Sequence, residues 1–121
     1  YSSNMAGRGT MLVAYLLGQT TYVWNPAKYK VTLIIQATLA IKSAWVMVYD
    51  ESTGQLVASG AGRATTSTQS SISVTVNLPV GNYKASASAM VSTPKGPANA
   101  IGWRYFSVSG TTSVLVVVFL I

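Results

Sequence analysis

The sequence contains no cysteine and no histidine, and its only carboxylate side chains are Asp50 and Glu51. Without cysteine there is no disulfide framework and no thiolate metal site, although a chain of 121 residues can bury a core without cross-links, so the redox compartment stays open. Without histidine, the commonest general base and most transition-metal ligands are gone as well. The two carboxylates are neighbours, so in an extended chain they point to opposite faces, which does not suit an acid pair flanking a glycosidic bond. Two are also too few for a dedicated calcium cage. Lys42-Ser43 is a neighbouring pair without a motif around it, and Asp50 would be the only acid to assist a Lys–Asn isopeptide link. These absences lead to the expectation of a non-enzyme that needs no metal and no cofactor.

Charge is scarce too. Charged residues make up 8% of the chain, against about 25% in an average globular protein. The surface must therefore consist mostly of Ser, Thr, Asn, Gln, Gly and apolar side chains, which repel neighbouring molecules poorly and favour association. The net charge of +6 comes from Arg8, Lys28, Lys30, Lys42, Arg63, Lys84, Lys95 and Arg104, which are dispersed along the chain without a basic arm or a recognisable reader motif. Specific nucleic-acid binding is not expected from that distribution. Nor is a membrane-spanning helix: Lys30, Gln36 and Lys42 interrupt the central apolar stretch, and Val114 to Ile121 falls far short of the roughly 18 residues required. No Asn lies two residues before a Ser or Thr, whereas the tract Thr65 to Ser73 offers hydroxyls for O-linked sugar. The start at Tyr1, with no leader-like segment, is read as a processed chain working outside the cell.

What is present is period-two alternation. From Tyr29 to Ile41 the odd positions are Tyr, Val, Leu, Ile, Ala, Leu and Ile, and the even ones are mainly polar, which predicts one long strand. Ile72, Val74, Val76 and Leu78 alternate with Ser71, Ser73, Thr75 and Asn77 in the same way. Ala44 to Tyr49 and Gln55 to Ser59 flank Asp50-Glu51-Ser52-Thr53-Gly54, a turn in which Asp and Ser cap and Gly supplies a permissive backbone. Further strands are expected at Asn82 to Val91, Gly102 to Val108 and Thr112 to Ile121, with Ser92 to Ile101 a loop because Pro94, Gly96 and Pro97 oppose regular pairing. About seven or eight short strands with turn signals between them and no helical period predict an all-β sandwich.

Val48-Tyr49-Asp50 leading to Thr53-Gly54, then Leu78-Pro79-Val80-Gly81-Asn82-Tyr83 and Phe106-Ser107-Val108, resemble the strand, turn and corner sequences of secreted immunoglobulin-like and fibronectin-III-like modules. The resemblance covers roughly Tyr29 to Ile121 and bears on fold alone. Two roles suit Tyr83: its hydroxyl closes on nearby backbone as a tyrosine corner, or it is an ordinary strand residue.

Both ends depart from sandwich patterning. Met11, Leu12, Val13, Ala14, Tyr15, Leu16 and Leu17 are apolar on both faces of an extended strand, and so is Val114 to Ile121, with Val114, Val116, Val118 and Leu120 on one face. A strand apolar on two sides needs cover on both, from its own domain or from another subunit. Residues 1 to 28, with Gly7 and Gly9 in the lead and Asn25-Pro26 before the core, form a candidate donor strand ahead of a sandwich domain at 29 to 121. Burying such a strand is worth on the order of 10 kcal/mol before ordering costs. The arrangement resembles the extracellular pili and threads of archaea, whose Ig-like subunits join by donor-strand complementation, and differs from type IV pilins, which begin with a long apolar helix. That resemblance implies a structural subunit of an extracellular, cell-surface filament, with identical subunits as partners in a homopolymer and surface glycans or neighbouring filaments as further contacts. Two other readings stay open. A virion coat protein would share the fold and the self-association. A secreted carbohydrate-binding or adhesion module would use Trp24, Trp45, Trp103, Tyr22, Tyr49 and Tyr105 to stack sugar rings, if several were exposed on one face, although most such residues are more often found in a core or an interface.

Overall fold

A computed structural model describes residues 26–121. It is all-β, with eight strands in two packed sheets: β1 (Lys28–Gln36), β2 (Ile41–Asp50), β3 (Leu56–Arg63), β4 (Ser71–Pro79), β5 (Gly81–Thr93), β6 (Gly96–Val108), β7 (Thr112–Val117) and β8 (Phe119–Leu120). One sheet has three strands in the order β4-β1-β7, and the other has five in the order β3-β2-β5-β6-β8. The β-sandwich expected from the alternation is therefore the observed architecture. Its strand order is its own: β1 lies at the centre of the small sheet, antiparallel to β4 and parallel to β7, whereas the constant-type immunoglobulin order puts the first strand at an edge.

Alternation places the core. Val31, Leu33 and Ile35 of β1 and Ile72, Val74, Val76 and Leu78 of β4 face Ala44, Val46 and Val48 of β2 and Ala85, Ala87, Ala89 and Val91 of β5, all of them buried. The small sheet supplies the large side chains and the wide sheet many of the small ones. Edge strand β3 follows the same rule, since Gly60 and Gly62 leave room for the Val74 and Ile72 side chains of the opposite sheet.

Three strand boundaries differ from the sequence expectation. The predicted strand Tyr29 to Ile41 is two strands, because the chain turns between Gln36 and Ile41 and passes from the small sheet to the wide one. Ala37 and Ile41 donate their backbone N–H groups to Ser70 and Gln69 carbonyls across this corner, and both side chains stay buried, so the inward parity survives the change of sheet. The predicted strand Thr112 to Ile121 does the same: β7 ends at Val117 in the small sheet and β8 begins at Phe119 in the wide one. At this crossing Gly102 of β6 sits against the Val117 carbonyl, where any Cβ would collide.

The third difference is Ser92 to Ile101, which is paired chain and not a loop. Strands β5 and β6 form a continuous hairpin, with Thr93 opposite Gly96 and Pro94-Lys95 at its tip. Gly96 takes φ +111°, and the Thr93 hydroxyl donates to the Gly96 carbonyl at 2.6 Å. Pro97 is tolerated because Ser92, its partner, turns its N–H toward Ala40 of the neighbouring chain segment. Pro97 thus occupies a position whose own N–H would point away from β5, where no ladder bond is lost.

Candidate binding face

The outer face of the five-stranded sheet carries an ordered array of side chains. Antiparallel register sets Leu56, Tyr49, Lys84 and Tyr105 in one row across β3, β2, β5 and β6. The next row is Ser59, Met47, Ser86 and Trp103, and the one after it is Ala61, Trp45, Ser88, Ile101 and Phe119. Read along the strands, β2 contributes a ridge of Trp45, Met47 and Tyr49, and β6 a ridge of Ile101, Trp103 and Tyr105. Between them β5 offers a half-buried floor of Lys84, Ser86 and Ser88. Strands lie about 4.8 Å apart, so the ridges stand about 10 Å from each other. The face is a trough with aromatic walls and a hydroxyl floor.

These side chains are exposed because the sheet alternates. Ala85, Ala87 and Ala89 fill the core, so Lys84, Ser86 and Ser88 must face outward, and the same parity turns Trp103 and Tyr105 out at 61% and 52% exposure. Trp103 and Tyr105 meet edge to face with centroids 5.5 Å apart. The Lys84 ammonium lies 5.3 Å from the Trp103 ring centroid and 5.8 Å from that of Tyr105, a cation–π arrangement that steadies both rings and the cation. On the opposite ridge the Tyr49 hydroxyl donates to Met47 Sδ at 3.3 Å.

One end of the trough opens into a depression lined by Tyr49, Asp50, Glu51, Gly54, Lys84, Ser86 and Tyr105. Asp50 is committed to the expected turn: its Oδ1 accepts from the Ser52 N–H at 2.8 Å, the Ser52 hydroxyl at 2.6 Å and the Thr53 N–H at 3.2 Å, while Gly54 takes φ +74°. The Ser52 hydroxyl first, and then the backbone donors, hold the Asp50 carboxyl below its ordinary range against a small opposing effect of desolvation. Opposite Asp50 on β5, Tyr83 is a tyrosine corner, its hydroxyl donating to the Pro79 carbonyl at 2.6 Å. Among the described residues no cluster of three or more acids could hold a metal ion, and no helix is long and apolar enough to cross a membrane.

The residues named for subunit contact fall in three places. Met11 to Leu17 lie outside the described residues. Val114, Val116 and Val118 are in the core of this domain, packed against its own sheets, so the surface contact expected of them is corrected: alternation gives that outer position to Leu115, Val117 and Phe119. Leu120 is exposed on β8. Of the aromatic residues considered for sugar stacking, Trp45, Tyr49, Trp103 and Tyr105 share one face, whereas Tyr22 and Trp24 lie outside the described residues. Sequence reading missed Ile101, Ser86, Ser88 and Lys84. The signal for Ile101 was its spacing of two from Trp103, obscured by assigning residues 92 to 101 to a loop.

The far edge of this face is incompletely paired. Strand β8 reaches only Ala100 and Ile101, leaving the edge of β6 away from β5 without a paired strand from Gly102 to Val108 among the described residues. Ladder alternation turns the main-chain groups of Trp103 and Tyr105 to that edge. Arg104 reaches across it, donating from Nη1 to the Leu115 carbonyl at 3.0 Å.

No family model matches this chain, and no curated protein matches it. Among solved structures, it is similar to a crystal structure from Bacteroides thetaiotaomicron described as a candidate polysaccharide-binding protein, with a TM-score of 0.56 and 12% identity. The likeness covers 76% of this chain and 47% of the other, so this chain spans less than half of that protein's length, and at such identity it establishes the sandwich fold alone.

Proposed function

We propose that this protein is a non-catalytic carbohydrate-binding module, working outside the cell, that lays an extended glycan along the trough between β2 and β6. The observation that carries the reading is the placement of Trp45 and Tyr49 on one ridge and Trp103 and Tyr105 on the other, with serine hydroxyls between them. Flat aromatic rings match the apolar faces of sugars at little conformational cost, and hydroxyls on the floor exchange hydrogen bonds with sugar hydroxyls. The described role of the similar Bacteroides protein supports it. Titration of the intact chain with soluble oligosaccharides, followed by indole emission, tests the reading. A saturable blue shift that is reduced in Trp103→Phe, with Trp45 on the opposite ridge still reporting, is expected; an emission spectrum unmoved by every glycan would overturn it.

A second reading, a filament subunit that assembles head to tail by strand exchange, is favoured by the edge of β6 that has no paired strand from Gly102 to Val108 among the described residues, with Phe119 exposed at its start. An added strand there would find main-chain partners at Trp103 and Tyr105. The apolar segment Met11 to Leu17 has the composition for that role. Electron microscopy of the purified protein, with gels run before and after boiling, distinguishes the two. Heat-resistant filaments that vanish when residues 1 to 24 are deleted support exchange, and monomers throughout exclude it.

A further inference from the structure

The trough has a charge at one end, and its position determines what kind of glycan fits. Lys84 lies in register between Tyr49 and Tyr105, at the centre of the row that closes the serine floor. Its ammonium is held over the Trp103 and Tyr105 rings, the surfaces on which a sugar would stack. The two rings meet edge to face, so a pyranose lies flat on one of them, and its ring substituents then come beside Lys84 Nζ. Arg63, whose parity also turns it to this face, sits on edge strand β3 opposite Ser43, outside the trough. Asp50 and Glu51 bring negative charge to the turn end of the adjoining depression, whereas Trp103, over which the Lys84 ammonium is held, lies outside that lining, so an acidic group meets Lys84 from the Trp103 side. The chain as a whole carries +6, so a polyanion is drawn toward it at long range before any contact forms.

The geometry points to an anionic polysaccharide as the ligand, with Lys84 the residue that recognises the acidic group of a sugar stacked on Trp103 or Tyr105. This rests on the trough being a glycan site. A neutral sugar would leave the ammonium facing a hydroxyl, whereas a carboxylate or a sulfate ester gives it a charge-assisted hydrogen bond in a site partly shielded from water. Such a bond is worth about tenfold in affinity.

Affinity electrophoresis of the full chain through gels containing polygalacturonate, dextran sulfate or a neutral β-glucan tests the inference. The expected result is stronger retardation by an acidic polymer than by the neutral one, and a fall of about tenfold in that acidic-to-neutral ratio for Lys84→Gln. Lys84→Arg should restore the preference, and Lys30→Gln, on the outer face of the other sheet, should leave it in place. Whichever acidic polymer loses more on Lys84→Gln identifies the group as carboxylate or sulfate. An unchanged ratio in Lys84→Gln, or an equal fall in Lys30→Gln, overturns the role of Lys84 and reduces the preference to nonspecific charge. Retardation by none of the three polymers would instead remove the glycan site itself.

Discussion

The Tyr83 hydroxyl donates to the Pro79 carbonyl at 2.6 Å, closing the turn between β4 and β5 from beneath. This bond fixes where β5 enters the wide sheet, and therefore where Lys84, Ser86 and Ser88 emerge on its outer face. Burial first, and then the nearby negative charge of Asp50, push the Tyr83 phenol above its ordinary range. A phenol that ionises later in the folded protein than in the unfolded chain gives stability that is complete below about pH 10 and declines as pH rises toward the folded value. Tyr83→Phe should cost about 1 to 2 kcal/mol at neutral pH by leaving the Pro79 carbonyl unpaired. Urea titrations at neutral and alkaline pH should show the intact chain losing stability above about pH 10 more steeply than the variant. Equal slopes would contradict this account of the corner.

Asp50 has the opposite sign. Its carboxyl is held low by turn donors, so its contribution is present at neutral pH and is lost as pH falls below about 4. Asp50→Ala should loosen the β2–β3 turn, seen as faster amide exchange at Ser52 and Thr53, and the variant should exchange at a rate less sensitive to acid than the intact chain.

At the sheet crossing, Gly102→Val should be among the most damaging substitutions in β6, because its Cβ would meet the Val117 carbonyl and backbone must move to admit it. A loss of about 1 to 3 kcal/mol is expected in urea unfolding, with Leu33→Ala, in the centre of the core, costing about 2 to 5 kcal/mol for comparison. An unaffected Gly102→Val would mean that the chain does not cross here.

Alternation made much of this fold legible and also set its limits. Ile72 to Leu78 gave a strand with the observed inward face, and Asp50 to Gly54 gave the observed turn, because both depend on local chemistry. Parity, however, is blind to a change of sheet. Ala37 and Ile41 stay inward around one corner and Val116 and Val118 around another, so the sequence looks the same as for an uninterrupted strand. Pro94, Gly96 and Pro97 suggested a loop because their compatibility with a two-residue hairpin depends on which way the Ser92 N–H points. The binding face was half legible: its aromatic residues were candidates, yet nothing local places Ser86 and Ser88 between Trp45 and Trp103. That juxtaposition follows from the pairing of β2 with β5, far apart in sequence, and from the β5–β6 hairpin that Pro94, Gly96 and Pro97 disguised.

The most direct test of the central claim is retention of the Trp45→Ala/Trp103→Ala double variant on an immobilised glycan panel, compared with the intact chain and with Leu115→Ala on the other sheet. We expect the intact chain and Leu115→Ala to be retained alike and the double variant to lose at least about tenfold in affinity, with one stacking wall removed from each side of the trough. Retention of the double variant at the level of the intact chain would contradict the account.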